Sequence, residues 1–415
     1  MADHALTRPA PRGWKALPAA LRIGILYLAA RAVTTGFLLL AGSLAAPDSR
    51  FGKSATLGSF AMGWDAYWYW LIGQEGYPAT LPLTDSGEVA ENQWAFMPVY
   101  PFLAKVVGLP FETVVWPGAP SWGIGAFLVS MVAGYLACLV LYRMLRMRID
   151  TTAATWAALF FAAGPLAALF HVGYAESLFL LWLFLSLWLV QRREYGWLYA
   201  LIPLMGFTRP GVLAFALFLG LYGISRWVRR RREPLPMREI VHIVALGLLA
   251  VIVGFSWQVI AGVVTGRPDA YLATELAWRQ AAVPGDRFVP FEGFIQGAAL
   301  WFGRIWGVGE VTGYIVLAAS VLAVAALLLF EPHVKRLGVE VRLWVTSYLF
   351  YLLAVFFPQS SVFRLLLPVS PLWGAVAQPR SVAYRVGVLA LCLLGQWWWI
   401  YNMYALANTA FWTIP

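Results

Sequence analysis

Asp65 stands between two tryptophans in the run Gly63-Trp64-Asp65-Ala66-Tyr67-Trp68-Tyr69. Indoles on either side shield a carboxylate from water, and a shielded carboxylate is suited to taking the proton of a hydroxyl nucleophile. The same residue opening a helix would serve as an N-cap, and residue type alone favours that simpler role. Arg209, in Thr208-Arg209-Pro210-Gly211, and Arg364 each sit at a break between apolar runs. A cation there would stabilise a leaving phosphate as its charge grows, or would snorkel to a headgroup with no chemical part. Glu176 begins an apolar run, where a carboxylate either binds sugar hydroxyls or complements the helix dipole, and His171 lies five residues before it. Trp64, Trp68, Tyr69 and, far along the chain, Trp278 and Tyr271 are candidates for stacking on a sugar or an acceptor. Arg31 lies inside an apolar run and needs a partner, expected to be a carboxylate or a phosphate.

Other chemistries lack their residues. Gly52-Lys53-Ser54 would need a glycine five residues before Gly52 to be a phosphate-binding loop, and Pro47 stands there. HExxH, GxSxG and paired Asp-x-Asp motifs are absent, and the histidines at 4, 171, 242 and 333 are scattered. Cys138 and Cys392 lie within apolar runs without metal-ligand spacing and read as packing residues. The expectation is therefore a protein with no metal and no cofactor.

The elements that must position these groups are membrane helices. Of 415 residues 61% are hydrophobic and 12% charged, against about 25% charged in soluble domains, which excludes an ordinary soluble enzyme or a disordered tail. The net charge of +10 follows topology rather than a nucleic-acid partner. Of 30 basic residues, 20 fall with only 7 acidic ones in the segments between apolar runs that the positive-inside rule places in the cytoplasm, so 10 basic and 13 acidic remain for the membrane and outer face. Apolar runs cover residues 23–41, 124–141, 152–170, 175–190, 240–264, 311–330, 341–357, 362–377 and 384–401, the first read as an uncleaved signal anchor. Residues 197–227 have arginines beyond both ends, so they must turn back as a short or re-entrant hairpin with Arg209 at its apex. The count is about eleven membrane helices in a single all-α domain over residues 1–415, with the N-terminus inside and the C-terminus outside. Two polar segments, 42–123 and 265–310, face outward. The first carries an amphipathic aromatic stretch at 67–74 and a second apolar one at 96–107, each suited to lying on the membrane. In the second, Asp269, Glu275, Arg279, Asp286, Arg287, Glu292 and Arg304 form a mixed, solvated face. Trp397-Trp398-Trp399 is expected to be an interfacial belt.

The stretch 63–78, with Trp64-Asp65, Tyr69, Gly76 and Tyr77, resembles the signature of the GPI mannosyltransferase 2 (PIG-V) family of membrane glycosyltransferases. Further matches follow in order: Phe96-Met97-Pro98-Val99-Tyr100-Pro101, then Tyr174-Ala175-Glu176-Ser177-Leu178-Phe179, Thr208-Arg209, Gly266-Arg267-Pro268 leading to Trp278, and residues 364–368. The resemblance implies a GT-C fold whose outer loops form the site. It implies transfer of mannose from a polyprenyl-phosphate-mannose donor to a lipid-linked or glycan acceptor. Asp65 would be the base of an inverting displacement, and Arg209 and Arg364 would face the donor phosphate. Ala66 and Met97 depart from the eukaryotic pattern, and the short, arginine-rich chain with its polar N-terminus points to a bacterial relative in the plasma membrane. A transporter or flippase of lipid-linked sugars is the alternative; against it, one long asymmetric outer segment follows the first helix and no internal repeat is visible.

Overall fold

A computed structural model describes residues 17–53, 55–279, 287–359 and 361–407, and among them the chain is helical with no strand beyond isolated bridges. Asp286 lies outside the described residues, as do His4, Arg8, Arg12 and Lys15. The first helix, α1 (Ala19–Ser43), leads into the first polar segment, which holds α2 (Leu57–Ala61), α3 (Asp65–Glu75) and α4 (Val99–Gly108). The centre of the molecule is α5 (Ser121–Arg146) packed on α7 (Glu176–Arg192), with α6 (Thr151–Ala162) between them in the chain. Small residues bring α5 close to its neighbours: Gly123, Gly125, Ala126, Ser130, Ala133, Gly134 and Ala137 are all buried. At Gly125 a β-carbon would stand 2.1 Å from the Ala104 carbonyl oxygen, so α4 lies against α5 only because that position has no side chain.

The hairpin of residues 197–228 folds as α8 (Leu198–Gly206) and α9 (Val212–Val228), broken at Thr208-Arg209-Pro210-Gly211. Gly211 turns at φ 135°, a conformation that favours glycine, and the break puts irregular backbone where neighbouring helices must satisfy it. There α10 (Met237–Thr265) packs along α9 and is followed by α11 (Ala270–Arg279) and α12 (Glu292–Ala298) in the second polar segment. The chain ends with α13 (Glu310–Phe330), α14 (Pro332–Arg336), α15 (Val339–Val355), a 3₁₀-helix at Arg364–Leu372, α16 (Trp373–Val376) and α17 (Val382–Ile400).

Among the described residues five helices are long and apolar enough to cross a membrane: Ala19–Ser43, Ser121–Arg146, Met237–Thr265, Glu310–Phe330 and the continuous Val382–Ala405. The other apolar runs form shorter helices, so the eleven expected crossings do not all appear as helices of spanning length. Proline accounts for two of the differences. The run 152–170 stops as α-helix at Ala162, just before Gly164-Pro165, and resumes as a 3₁₀ turn at Ala167–Phe170. The run 362–377 holds Pro368 and Pro371, which remove backbone donors, and it winds as 3₁₀-helix before the short α16.

That first interruption explains Arg31. Its partners are the carbonyl oxygens of Ala162 and Ala167 and His171 Nδ1 at 3.1 Å, not the carboxylate or phosphate expected of it. A helix that ends inside the bundle leaves carbonyls without donors, and a buried guanidinium supplies them. The tryptophan run is also only partly a belt: Trp398 is exposed, but Trp399 is buried and Trp397 packs on Phe37 and Tyr401.

Candidate active site

Asp65 occupies the first position of α3, and Trp64 before it has φ 47°, a backbone that a bulky residue adopts only under constraint. The constraint is an aromatic nest. The Trp64 ring meets Phe51 and Tyr404 edge-on at 5.0 and 5.3 Å, with the Arg50 guanidinium 5.5 Å from its centre. Asp65 is not a cap: its carboxylate accepts a 2.5 Å hydrogen bond from Arg364 Nη1. Arg364 opens the 3₁₀-helix, 299 residues further on, and its Nε lies 3.3 Å from Glu176 Oε1 while its plane rests over the Tyr174 ring. Glu176, the first residue of α7, also pairs with Arg209 at the α8–α9 break.

The result is an alternating row, Asp65–Arg364–Glu176–Arg209, of two carboxylates and two guanidiniums with no net charge. Its inner members are almost closed off, with 4% of the Glu176 side chain and 9% of the Arg364 side chain exposed. Its ends are more open, at 18% for Asp65 and 16% for Arg209. The open ends are therefore a carboxylate able to take a proton and a cation able to meet an anion, held apart by an inner ion pair. Arg364, expected to face a phosphate, lies between the two carboxylates, bonding Asp65 through Nη1 and meeting Glu176 as a charge contact without a hydrogen bond. Tyr69 is buried beside all four charges; burial first, then the Glu176 and Asp65 carboxylates, holds its phenol above the ordinary value, so it remains a hydrogen-bond donor.

The other expected groups divide. Trp68 stacks on Phe96 at 6.2 Å and meets Trp278 edge-on at 5.2 Å, so an indole from each polar segment lines the same wall. His171 is elsewhere: its ring nitrogens are taken by Arg31 and Thr35, which makes it a buried structural link between α1 and the turn after α6. In the second polar segment Arg267 pairs with Asp269 at 2.8 Å, while Arg279, buried rather than part of a solvated face, bonds Gln296, whose amide reaches Glu292. Two tyrosines were not singled out by sequence. Tyr174 lies under Arg364, and Tyr404 lies on Trp64; both hydroxyls are buried without a partner. Tyr174 opens the Tyr174-Ala175-Glu176 motif, whereas nothing marks Tyr404 in sequence. Among the described residues no three His, Cys, Asp or Glu side chains converge as metal ligands would.

The structure is thus a helical membrane protein in which four segments bring a row of largely buried charge together. The chain belongs to the mannosyltransferase (PIG-V) family, whose model matches residues 53–262 and so takes in Asp65, Glu176 and Arg209. Among solved structures it is similar to ArnT from Cupriavidus metallidurans bound to undecaprenyl phosphate, at 15% identity and TM-score 0.49, over 90% of this chain and 63% of that one. It is also similar to the Archaeoglobus fulgidus oligosaccharyltransferase complex with Zn and sulfate, at 15% identity and TM-score 0.44, over 89% of this chain and 52% of the other. A third is the archaeal oligosaccharyltransferase AglB of the same organism with an inhibitory peptide and a dolichol-phosphate, at 14% identity and TM-score 0.42, over 90% of this chain and 55% of that chain. A comparison with curated proteins returns no match.

Two measurements test the geometry. Arg364→Ala leaves two mostly buried carboxylates facing each other, and breaking such a pair costs about 3–5 kcal/mol; the variant should unfold well below the wild type in detergent, with Glu176→Gln in the same chain recovering part of the loss. Glu275, on α11, is the second case. Burial pushes its carboxyl up to about 7, against the opposing pull of the Tyr271 hydroxyl beside it. The folded form therefore binds more protons than the unfolded form between the ordinary carboxyl value and about 7, and stability should fall as pH rises through that window. Thermal unfolding of Glu275→Gln should lose that slope.

Proposed function

We propose that the protein transfers mannose from a polyprenyl-phosphate-mannose donor to a lipid-linked or glycan acceptor at the outer face of the membrane. The observation that carries this reading is the Asp65–Arg364–Glu176–Arg209 row, brought together from four distant segments in a chain of the mannosyltransferase family. Asp65 takes the proton of the acceptor hydroxyl as its oxygen bonds to the anomeric carbon. The bond from that carbon to the phosphate oxygen breaks, and polyprenyl phosphate leaves with the electron pair. One displacement inverts the anomeric centre. The leaving phosphate gains charge in the transition state, and Arg209, the more open cation of the row, supplies donors where that charge grows.

Arg364 acts as a positioning residue that fixes Asp65 and Glu176 relative to each other. Trp68 and Trp278 form the wall on which sugar or acceptor stacks. The site lies in outer loops because the arginine-rich segments occupy the other side under the positive-inside rule, in a GT-C arrangement of about eleven crossings.

Purified protein given labelled polyprenyl-phosphate-mannose and a panel of acceptors tests the whole reading. Asp65→Asn should lower transfer by about 10²-fold or more while the protein inserts and folds, and an active, well-expressed Asn variant would remove Asp65 from the chemistry. Carrier movement without cleavage would mean a flippase instead. Arg209→Lys keeps the charge but loses the fork of donors, so it should cost about tenfold or more in kcat; a normal rate would make Arg209 a mere partner of Glu176.

A further inference from the structure

At the far end of α7 from Glu176, roughly 22 Å along the helix at 1.5 Å per residue, lies a second charged site that the proposed transfer does not use. It is a cavity of ≈ 230 Å³ among the ends of α5, α7, α9 and α15. Its lining holds four arginines, at 148, 193, 226 and 229, and two glutamates, at 233 and 340, an excess of two positive charges.

The arginines are not alike. Arg226 is fully committed, with its fork on Glu239 at 2.9 and 3.2 Å, Nη1 on Glu233 at 2.8 Å and a bond to the Pro234 carbonyl. Arg229 is held by Ser225 and Glu233. Arg148 and Arg193 are different: one terminal nitrogen of each reaches a carboxylate, on Glu340 at 3.0 Å and Glu233 at 2.8 Å, and the rest of each partly exposed fork is uncommitted. Gln191 lines the same cavity, and its amide nitrogen and amide oxygen are both buried without a partner. A buried donor and a buried acceptor on one side chain are costly unless something fills them.

Those atoms specify what a ligand of this cavity would offer. It must offer anionic oxygens to Arg148, Arg193 and the Gln191 nitrogen, and it must donate a hydrogen bond to the Gln191 oxygen. A carboxylate meets only the first demand, and a halide, which brings neither oxygens nor a proton to donate, meets neither. We propose that this cavity binds a polyol phosphate, either as the headgroup of an anionic phospholipid or as a free small molecule. The volume is below the roughly 300–1,000 Å³ of pockets that bury drug-sized ligands, which suits a headgroup fragment rather than a whole lipid. The run Arg229 to Arg232 at the same end draws anionic lipid to the mouth.

The test uses the full chain and does not depend on transfer activity. The protein is placed in nanodiscs of phosphatidylcholine with and without phosphatidylglycerol, and in detergent with glycerol 1-phosphate. Retained lipid is read by native mass spectrometry, and ligand binding by the thermal midpoint. Wild type should retain phosphatidylglycerol at least tenfold over phosphatidylcholine if the occupant is a headgroup, or rise in midpoint with glycerol 1-phosphate if it is a free polyol phosphate. Gln191→Leu removes only the unpartnered amide and should lose the preference or the shift. Arg193→Gln, at an exposed position, should lose it too and serves as the second variant if the first fails to fold. Equal retention of both lipids together with no response to glycerol 1-phosphate would overturn the proposal, as would wild-type behaviour of the two variants.

Discussion

One guanidinium, that of Arg364, is shared between Asp65 and Glu176 in surroundings that leave almost none of it open to water. Two carboxylates do not stay ionised side by side in such a place without a cation between them, so the row exists only when the 3₁₀-helix carrying Arg364 is docked. That helix is 3₁₀ because prolines interrupt it, and the irregularity that spoils Arg364–Leu372 as a regular membrane helix also serves to present the arginine. Arg209 is presented the same way, at the break between α8 and α9. Both cations of the site thus ride on backbone that departs from the α-helix where the bundle can enclose it.

The two polar segments are tied to one another and to the bundle by indoles and amides rather than by regular structure. Asn92 donates to Thr274 at 2.9 Å across the segments, Trp94 to the Pro78 carbonyl, and Trp257 of α10 to the Trp94 carbonyl, each at 3.0 Å. An indole carries a large apolar body and one donor, so each of these residues fills space and fixes a strand of loop at once. The abundance of tryptophan, 22 in the chain, is spent here as much as at the membrane surface.

Much of the site was legible because charge is scarce. Once the arginines that mark topology are set aside, Asp65, Glu176, Arg209 and Arg364 stand out as charges with no topological reason, and the fold brings those four into one row. Pairing was not legible: sequence offered Arg364 a phosphate or a headgroup and Arg31 a carboxylate or a phosphate, whereas the folded chain sets Arg364 between two carboxylates and gives Arg31 a set of carbonyls. Those carbonyls become available only where α6 stops inside the bundle, and a hydropathy pattern read as one continuous run hides that stop. His171 went astray for the same reason, since its neighbour in space is α1 rather than Glu176, five residues away in sequence.

The backbone of Trp64 is held in place by residues from the other end of the chain. Tyr404 packs on its ring, and the backbone nitrogens of Ala46 and Arg50 bond the carbonyls of Ala405 and Ala407 at 3.1 and 2.9 Å. Asp65 is therefore made long before the groups that fix its position. The loop around Asp65 cannot take its final form until Arg364 and residues 404–407 have been synthesised.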